Sequence, residues 1–120
     1  MKSVNNKAYG GDGELIAVKY LEQTGFRIIN KNFRCRMGEI DIIAQEGNYL
    51  CFVEVKRRKT VTSGHPLEAI HPVKIQRICK TALFYMHTNR IPESTAVRFD
   101  VISVIDNEVS LLRDAFSFQI

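Results

Sequence analysis

The chain has 120 residues and a formal charge of +4, with 45% hydrophobic and 25% charged residues. That size predicts one domain over residues 1–120, able to bury about two-thirds of its unfolded surface; the apolar runs fall far short of the ~20 residues a bilayer span needs. The mild basic excess suits a polyanionic partner without demanding one, and Cys35, Cys51 and Cys79, never in a CxxC pair, read as free thiols of a reducing cytoplasm.

In chain order, residues 1–11 are polar and include Gly10-Gly11, which predicts a flexible N-terminus with no apolar segment of the secretory type. Asp12 is placed to cap a helix running to about Thr24 and closed by Gly25. Its inward stripe is Ala17, Val18 and Leu21. Glu14 lies one turn above on that stripe, as a first-turn acid favoured by the helix dipole or as an acid aimed at a site. Residues 26–36 form a strand whose Asn30, Lys31, Asn32, Arg34 and Arg36 place it near a sheet edge, its basic residues either a solvated edge that resists aggregation or a phosphate-facing wall.

The stretch from Met37 to Lys59 reads as two strands joined at Gly47-Asn48. In the first, alternation puts Ile40, Ile42 and Ala44 on one face, with Glu39, Asp41 and Ile43 on the other. In the second, Tyr49, Cys51, Val53 and Val55 oppose Leu50, Phe52, Glu54 and Lys56. Glu54 and Lys56 are then same-side neighbours roughly 7 Å apart, and hairpin pairing brings Asp41 across from them. Burying such charges is costly unless they pair or hold a metal. Two readings stay open: a structural Lys–Glu pair at a sheet end, or a divalent-cation site with a lysine beside it.

Lys56 to Lys59 are four consecutive bases, either a solvated turn or a phosphate contact. A loop over 60–65 and a short helical turn over 66–70 follow. Pro72 suits the first turn of a helix reaching about Asn89. Its apolar face is Ile75, Ile78, Cys79, Ala82, Leu83 and Met86, with Lys74, Arg77 and Lys80 elsewhere, facing solvent or phosphate; Phe84 and Tyr85 read as packing groups. A strand over 97–105 sets Arg98 and Asp100 on one face, where a mutual ion pair is the simplest reading. Asp106-Asn107 turns into a last strand over 108–113. No GxGxxG, GxxxxGK[ST] or GxSxG occurs, and the three histidines lack zinc spacing. Carboxylates with a lysine suit Mg²⁺ or Mn²⁺.

Asp41 followed, a dozen residues on, by Glu54-Val55-Lys56 at the end of an apolar strand resembles the PD-(D/E)xK nuclease superfamily. More closely, GEIDIIA…FVEVKRR is similar to the YraN-like family of small bacterial proteins. The likeness spans nearly the whole chain, through Gly13-Glu14, Ala17, Tyr20-Leu21, Asn32, Arg34, Gly64, Pro66, Lys74, Ala82 and Arg98-Phe99-Asp100-Val101. Ile40 departs from the superfamily pattern, which has proline before the aspartate.

The resemblance implies an α/β fold, a mixed sheet flanked by helices with the αβββαβ restriction-endonuclease-like core, related to archaeal Holliday-junction resolvases. It implies a metal-dependent endonuclease acting on DNA, branched DNA included. Asp41 and Glu54 would hold Mg²⁺ or Mn²⁺ with the Val55 carbonyl. Lys56 would orient the attacking water or stabilise developing charge. Glu14 would be a supporting acid pointing into the cleft shared by Asp41 and Glu54, with Glu39 in reserve. Arg57, Arg58, Lys59 and Lys74 would meet phosphates, and a homodimer follows by analogy with enzymes that cut two strands symmetrically. The alternative is a nucleic-acid-binding accessory protein of recombination, repair or uptake that does not cut.

Overall fold

In the computed structural model the chain runs α1 (Asn6–Thr24), β1 (Arg27–Cys35), β2 (Gly38–Glu46), β3 (Tyr49–Arg58), α2 (Pro72–Thr88), β4 (Val97–Ile105) and β5 (Glu108–Phe116). Residues 6–58, 70–106 and 108–119 are described, with 6–12 and Arg58 as backbone alone. The predicted 60–65 loop, the 66–70 turn up to residue 69, and Lys59 lie outside the described residues.

The strands form one mixed sheet in the order β1-β2-β3-β4-β5. β1 and β2, β2 and β3, and β4 and β5 are antiparallel; β3 and β4 are parallel and joined through α2. This is the predicted α/β arrangement, with αβββαβ followed by a fifth strand. β1 lies at an edge, as its polar sequence suggests.

A helix covers each face, which is why β3 and β4 tolerate near-continuous apolar runs. On one face, Ala17, Val18 and Leu21 of α1 meet Ile42, Ala44, Cys51, Val53 and Ile102. On the other, Ile75, Ile78, Ala82 and Met86 of α2 meet Ile43, Phe52, Phe99 and Val101. No helix among the described residues is long and apolar enough to cross a membrane.

Three local expectations change. α1 begins at Asn6, so Asp12 is internal rather than a cap, and Glu14 lies beyond the first turn. Gly10 and Gly11 are carried inside the helix, a tolerated cost of about 1 kcal/mol each relative to alanine. The far end closes as expected: Gly25 takes φ 111°, and the Phe26 N–H donates to the Leu21 carbonyl at 2.9 Å. On α2, which starts with Pro72 behind a His71 cap, Leu83 is exposed. Thr81 and Tyr85 are buried instead, Tyr85 edge-on to Phe33 and Phe52.

The third change positions the site. Ile40 belongs to the α2-side core, whereas Ile42 and Ala44 belong to the α1 side, so alternation breaks at Asp41. Pairing of β2 with β3 runs from Ile42↔Val53 to Glu46↔Tyr49 and goes no further toward Asp41. On the other flank, Asn32 lies between the pairs Lys31↔Ile42 and Phe33↔Ile40 and takes φ 56°. Asn tolerates that left-handed conformation better than most residues.

Candidate metal and substrate site

Where the β2–β3 ladder ends, the Asp41 side chain takes over its hydrogen bonding. Its Oδ2 accepts the Val55 N–H at 2.8 Å, a bond that would otherwise need a backbone carbonyl. Asp41 is thereby fixed beside β3. Gly38, at the start of β2, allows α2 to approach closely: a Cβ there would stand 2.9 Å from Thr81 Oγ1. That hydroxyl is already committed to the Arg77 carbonyl at 2.7 Å. The result is a cleft of about 740 Å³ between the start of β2, the middle of β3 and the first turns of α2, lined among others by Asp41, Glu54, Lys74 and Arg77.

Glu54 is 5% exposed. Its Oε2 lies 2.5 Å from Lys74 Nζ and 4.0 Å from Lys56 Nζ. Asp41 is pushed up to about 7, first by burial and then by the negative charge of Glu54, against the Val55 N–H; a hydrogen bond to Glu54 adds to the rise. The two carboxyl groups are therefore neighbours, and Asp41 keeps its proton well above the usual carboxylate range. Lys56 is lowered from its ordinary value by burial and then by the charge of Lys74. For Lys74 burial also works downward, but the hydrogen bond and charge of Glu54 outweigh it, so Lys74 is raised. The two lysines diverge because Lys74 holds the shorter contact to Glu54.

The chemistry of this donor set fits a hard divalent cation. Two adjacent, mutually repelling carboxylates, Glu54 buried and Asp41 half-buried, favour positive charge between them. Among the described residues no group of three His, Cys, Asp or Glu gathers. A cation here would draw the rest of its shell from backbone oxygens, water and substrate, as Mg²⁺ and Mn²⁺ do.

The other sequence-predicted residues fall in different places. Glu14 does not line this cleft. It lines a separate hollow with Leu15, Val18 and Lys31, and its Oε1 accepts from Asn32 Nδ2 at 2.8 Å. α1 packs on the opposite sheet face, which is why the same stripe that aims Glu14 at the sheet aims it away from the cleft. Its charge still reaches Asp41, as the last of the influences raising that group. Glu39 lines the cleft and pairs with Arg34 at 3.4 Å. Arg57 alternates to the α1 side of β3, where a Cβ on Gly13 would stand 2.8 Å from its Cδ. Of the basic run it is thus placed against α1, on the sheet face opposite the Glu54 carboxylate that Lys56 approaches. Lys74, expected to face solvent or phosphate, sits on Glu54.

Arg77 and Arg34, each open in the sequence between solvent and phosphate, both border the cleft. Arg77 follows Lys74 by three residues and so shares its helix face. Arg34 could not be placed from alternation, because the left-handed Asn32 and the break at Asp41 interrupt it.

A second charged cluster lies at the other end of the sheet. Arg98 donates to both Asp100 oxygens, at 2.9 and 2.8 Å, and to Glu46 Oε1 at 2.6 Å. Arg113 grips the same Glu46 at 2.8 and 2.7 Å, and the Asp114 N–H donates to Asp100 at 2.9 Å. The hydrogen bond from Arg113, with Arg98 behind it, overcomes partial burial and holds Glu46 down to about 2. Asp100 is thus a structural acid paired with Arg98, as its place in the sequence suggests.

Residues 13–104 match the model of the uncharacterised protein family UPF0102. The chain is 48% identical to a UPF0102 protein of Lachnoclostridium phytofermentans, over 94% of this chain and 96% of that one. It is 44% identical to a UPF0102 protein of Syntrophus aciditrophicus, over 96% and 93%, and 45% identical to one from Clostridium botulinum strain Kyoto, over 92% and 95%. These matches run through the hairpin, the cleft and both helices, and the chain belongs to the UPF0102 family, the YraN-like family its motifs resemble.

Proposed function

We propose that this protein is a metal-dependent DNA endonuclease of the restriction-endonuclease-like class, a single nuclease-like domain hydrolysing phosphodiester bonds, with branched DNA as a favoured substrate. The observation that carries this reading is the adjacent Asp41–Glu54 carboxylate pair with Lys56 beside it, at the point where the β2–β3 ladder opens. Asp41 and Glu54 would hold Mg²⁺ or Mn²⁺. The Val55 carbonyl would supply a third oxygen, a reading supported by the Val55 N–H on Asp41, since N–H and C=O of one strand residue point the same way. The cation, when bound, would supply charge stabilisation at a phosphate oxygen and a more acidic attacking water.

The chain's own groups do the rest. Lys56 is anchored on a strand and half-buried, so it can orient a water or meet charge developing on the phosphate without reorganising. Burial and then the charge of Lys74 lower the proton affinity of Lys56, so its ammonium gives up a proton more readily than an ordinary lysine's. Arg77, Arg34 and Lys74 border the cleft and would offer donors to a phosphodiester backbone, to which Arg58 and Lys59 would add by their place in the basic run of the sequence.

One observation favours binding without cutting: Lys74 lies on Glu54, so the acid pair already has a positive partner. The deciding experiment incubates pure protein with linear, flapped and four-way-junction DNA in Mn²⁺, Mg²⁺ or EDTA. Cleavage in metal, lost in EDTA and reduced at least about 100-fold in Asp41→Asn and Glu54→Gln, is the expected result. Metal-independent, salt-sensitive binding without cleavage would instead favour the accessory role.

A further inference from the structure

We propose that Lys74 is a resident counter-cation of Glu54, which a divalent cation must displace to occupy the carboxylate pair, and that the displaced ammonium then serves the substrate phosphate. This rests on the cation-site reading of Asp41 and Glu54.

The two lysines at this acid are not equivalent. Lys56 projects from β3, the same strand as Glu54, and its side chain is 21% exposed. Lys74 reaches in from α2 with a side chain 46% exposed, yet its Nζ makes the shorter contact, 2.5 Å against 4.0 Å. A long, solvent-borne stem with its charged head on a nearly buried carboxylate can leave at the cost of one ion pair, with water behind it to receive it. Lys56, fixed on the strand, cannot move as far. Lys74 also lies in the first turn of α2, where the helix dipole disfavours a cation. Its position is explained by Glu54 rather than by the helix.

Lys74 already holds Glu54 Oε2, so a divalent cation that binds through that oxygen competes with it. Once released, the ammonium stands at a cleft mouth that also carries Arg77, one helical turn on, and Arg34, whose side chain is 74% exposed. Arg34 also meets Glu39 there, so the mouth sets three cations against that one acid, and the excess favours a polyanion. A phosphodiester that draws Lys74 outward vacates Glu54 for the metal, and by linkage the metal strengthens phosphate binding by the same factor. The protein alone then holds divalent ions weakly and acquires them with its substrate.

The test titrates Mn²⁺ into the full chain without DNA and follows the free-ion electron paramagnetic resonance signal. Wild type is compared with Lys74→Met, Lys56→Met and Glu54→Gln. Lys74→Met should bind Mn²⁺ at least about tenfold tighter than wild type, Lys56→Met should gain less, and Glu54→Gln should lose binding. Thermal melts run in parallel, because Lys74→Met leaves the carboxylate pair with only the longer contact from Lys56: Mn²⁺ should raise its melting temperature more than that of wild type. Lys74→Gln, which keeps a neutral donor to Glu54, is the second variant should Lys74→Met fold poorly, and the same order is expected of it. Wild type binding Mn²⁺ with neither Lys74 variant any tighter would overturn the displacement while leaving the cation site standing. Absence of Mn²⁺ binding in wild type and both variants would overturn the cation site and the displacement together.

Discussion

Two clusters of acids and bases sit at opposite ends and on opposite faces of the sheet, built from the same residue types, and they are in opposite electrostatic states. Around Glu46, Arg98, Asp100 and Arg113, planar guanidinium groups meet carboxylates two bonds at a time, and Glu46 is held down to about 2 by Arg113 and Arg98. Around Asp41, Glu54, Lys56 and Lys74, the bases are lysines, which are point charges without the fork geometry. Asp41 there is driven up to about 7 by burial and by Glu54. One cluster has finished its electrostatic work on folding; the other retains charge that a ligand can still satisfy. Perturbed carboxylates in a cleft mark function more often than paired ones in a core, and the contrast supports the proposal of a site at the Asp41 end.

The largest effect expected from breaking this contrast lies at the paired end. Arg98→Met leaves the fully buried Asp100 without its bidentate partner, and removing one member of a buried pair costs about 3–5 kcal/mol. Urea unfolding measures it; a loss under about 1 kcal/mol would mean this cluster is not the structural one. At the cleft end the sign reverses. Asp41→Asn removes the repulsion with Glu54 yet keeps an acceptor for the Val55 N–H, so the metal-free variant should gain about 1–3 kcal/mol at pH 8. A destabilised Asp41→Asn would show that the pair is satisfied as it stands.

The pH dependence separates the ends further. Asp41 titrates near 7 in the folded chain against 3.8 for an ordinary aspartate, so the folded state carries the extra proton between those values. Its contribution is fully present below about 4 and is lost as pH rises through 7, by at most about 1.4 kcal/mol per pH unit. Glu46 behaves oppositely: its contribution is present above its ordinary 4.5 and is lost as pH falls toward about 2. Subtracting the melting profile of Asp41→Asn from that of wild type should therefore give a curve falling between pH 4 and 7. The same subtraction with Glu46→Gln should rise between pH 2 and 4.5 and stay flat above. Two curves of the same slope would erase the distinction between the clusters.

The sequence made much of this legible, for identifiable reasons. The hairpin at Gly47-Asn48, the doubly covered β3 and the edge position of β1 all follow from period-two alternation and polarity, signals local to each strand. The Asp41–Glu54–Lys56 association follows from pairing two such strands, and Arg98 with Asp100 from sharing a strand face. What could not be read was the break in alternation. A left-handed Asn32 and a carboxylate replacing a ladder carbonyl are decided by tertiary contacts, and they move Ile40 to the α2 side and Arg34 to the cleft. The partner of Lys74 was equally hidden, since it depends on how deeply α2 is seated over Gly38.

Glu14 gives the smallest effect and the finest test of where the cleft cluster ends. The stripe carrying it does pack on the sheet, but on the face covered by α1, and its carboxylate is engaged by Asn32 in a hollow apart from the cleft. It touches the site only through its charge, which raises Asp41 less than Glu54 does. Glu14→Gln isolates that charge, because the amide oxygen can still accept from Asn32. In the metal-free protein the Asp41-linked fall in stability should then move to lower pH in Glu14→Gln, and by less than in Glu54→Gln. Cleavage should drop less than in Asp41→Asn, since no ligand position is removed. If Glu14→Gln instead abolishes Mn²⁺ binding as completely as Glu54→Gln, then Glu14 leaves Asn32 when the site is loaded, and the two hollows are one site seen from opposite faces of the opened β2–β3 ladder.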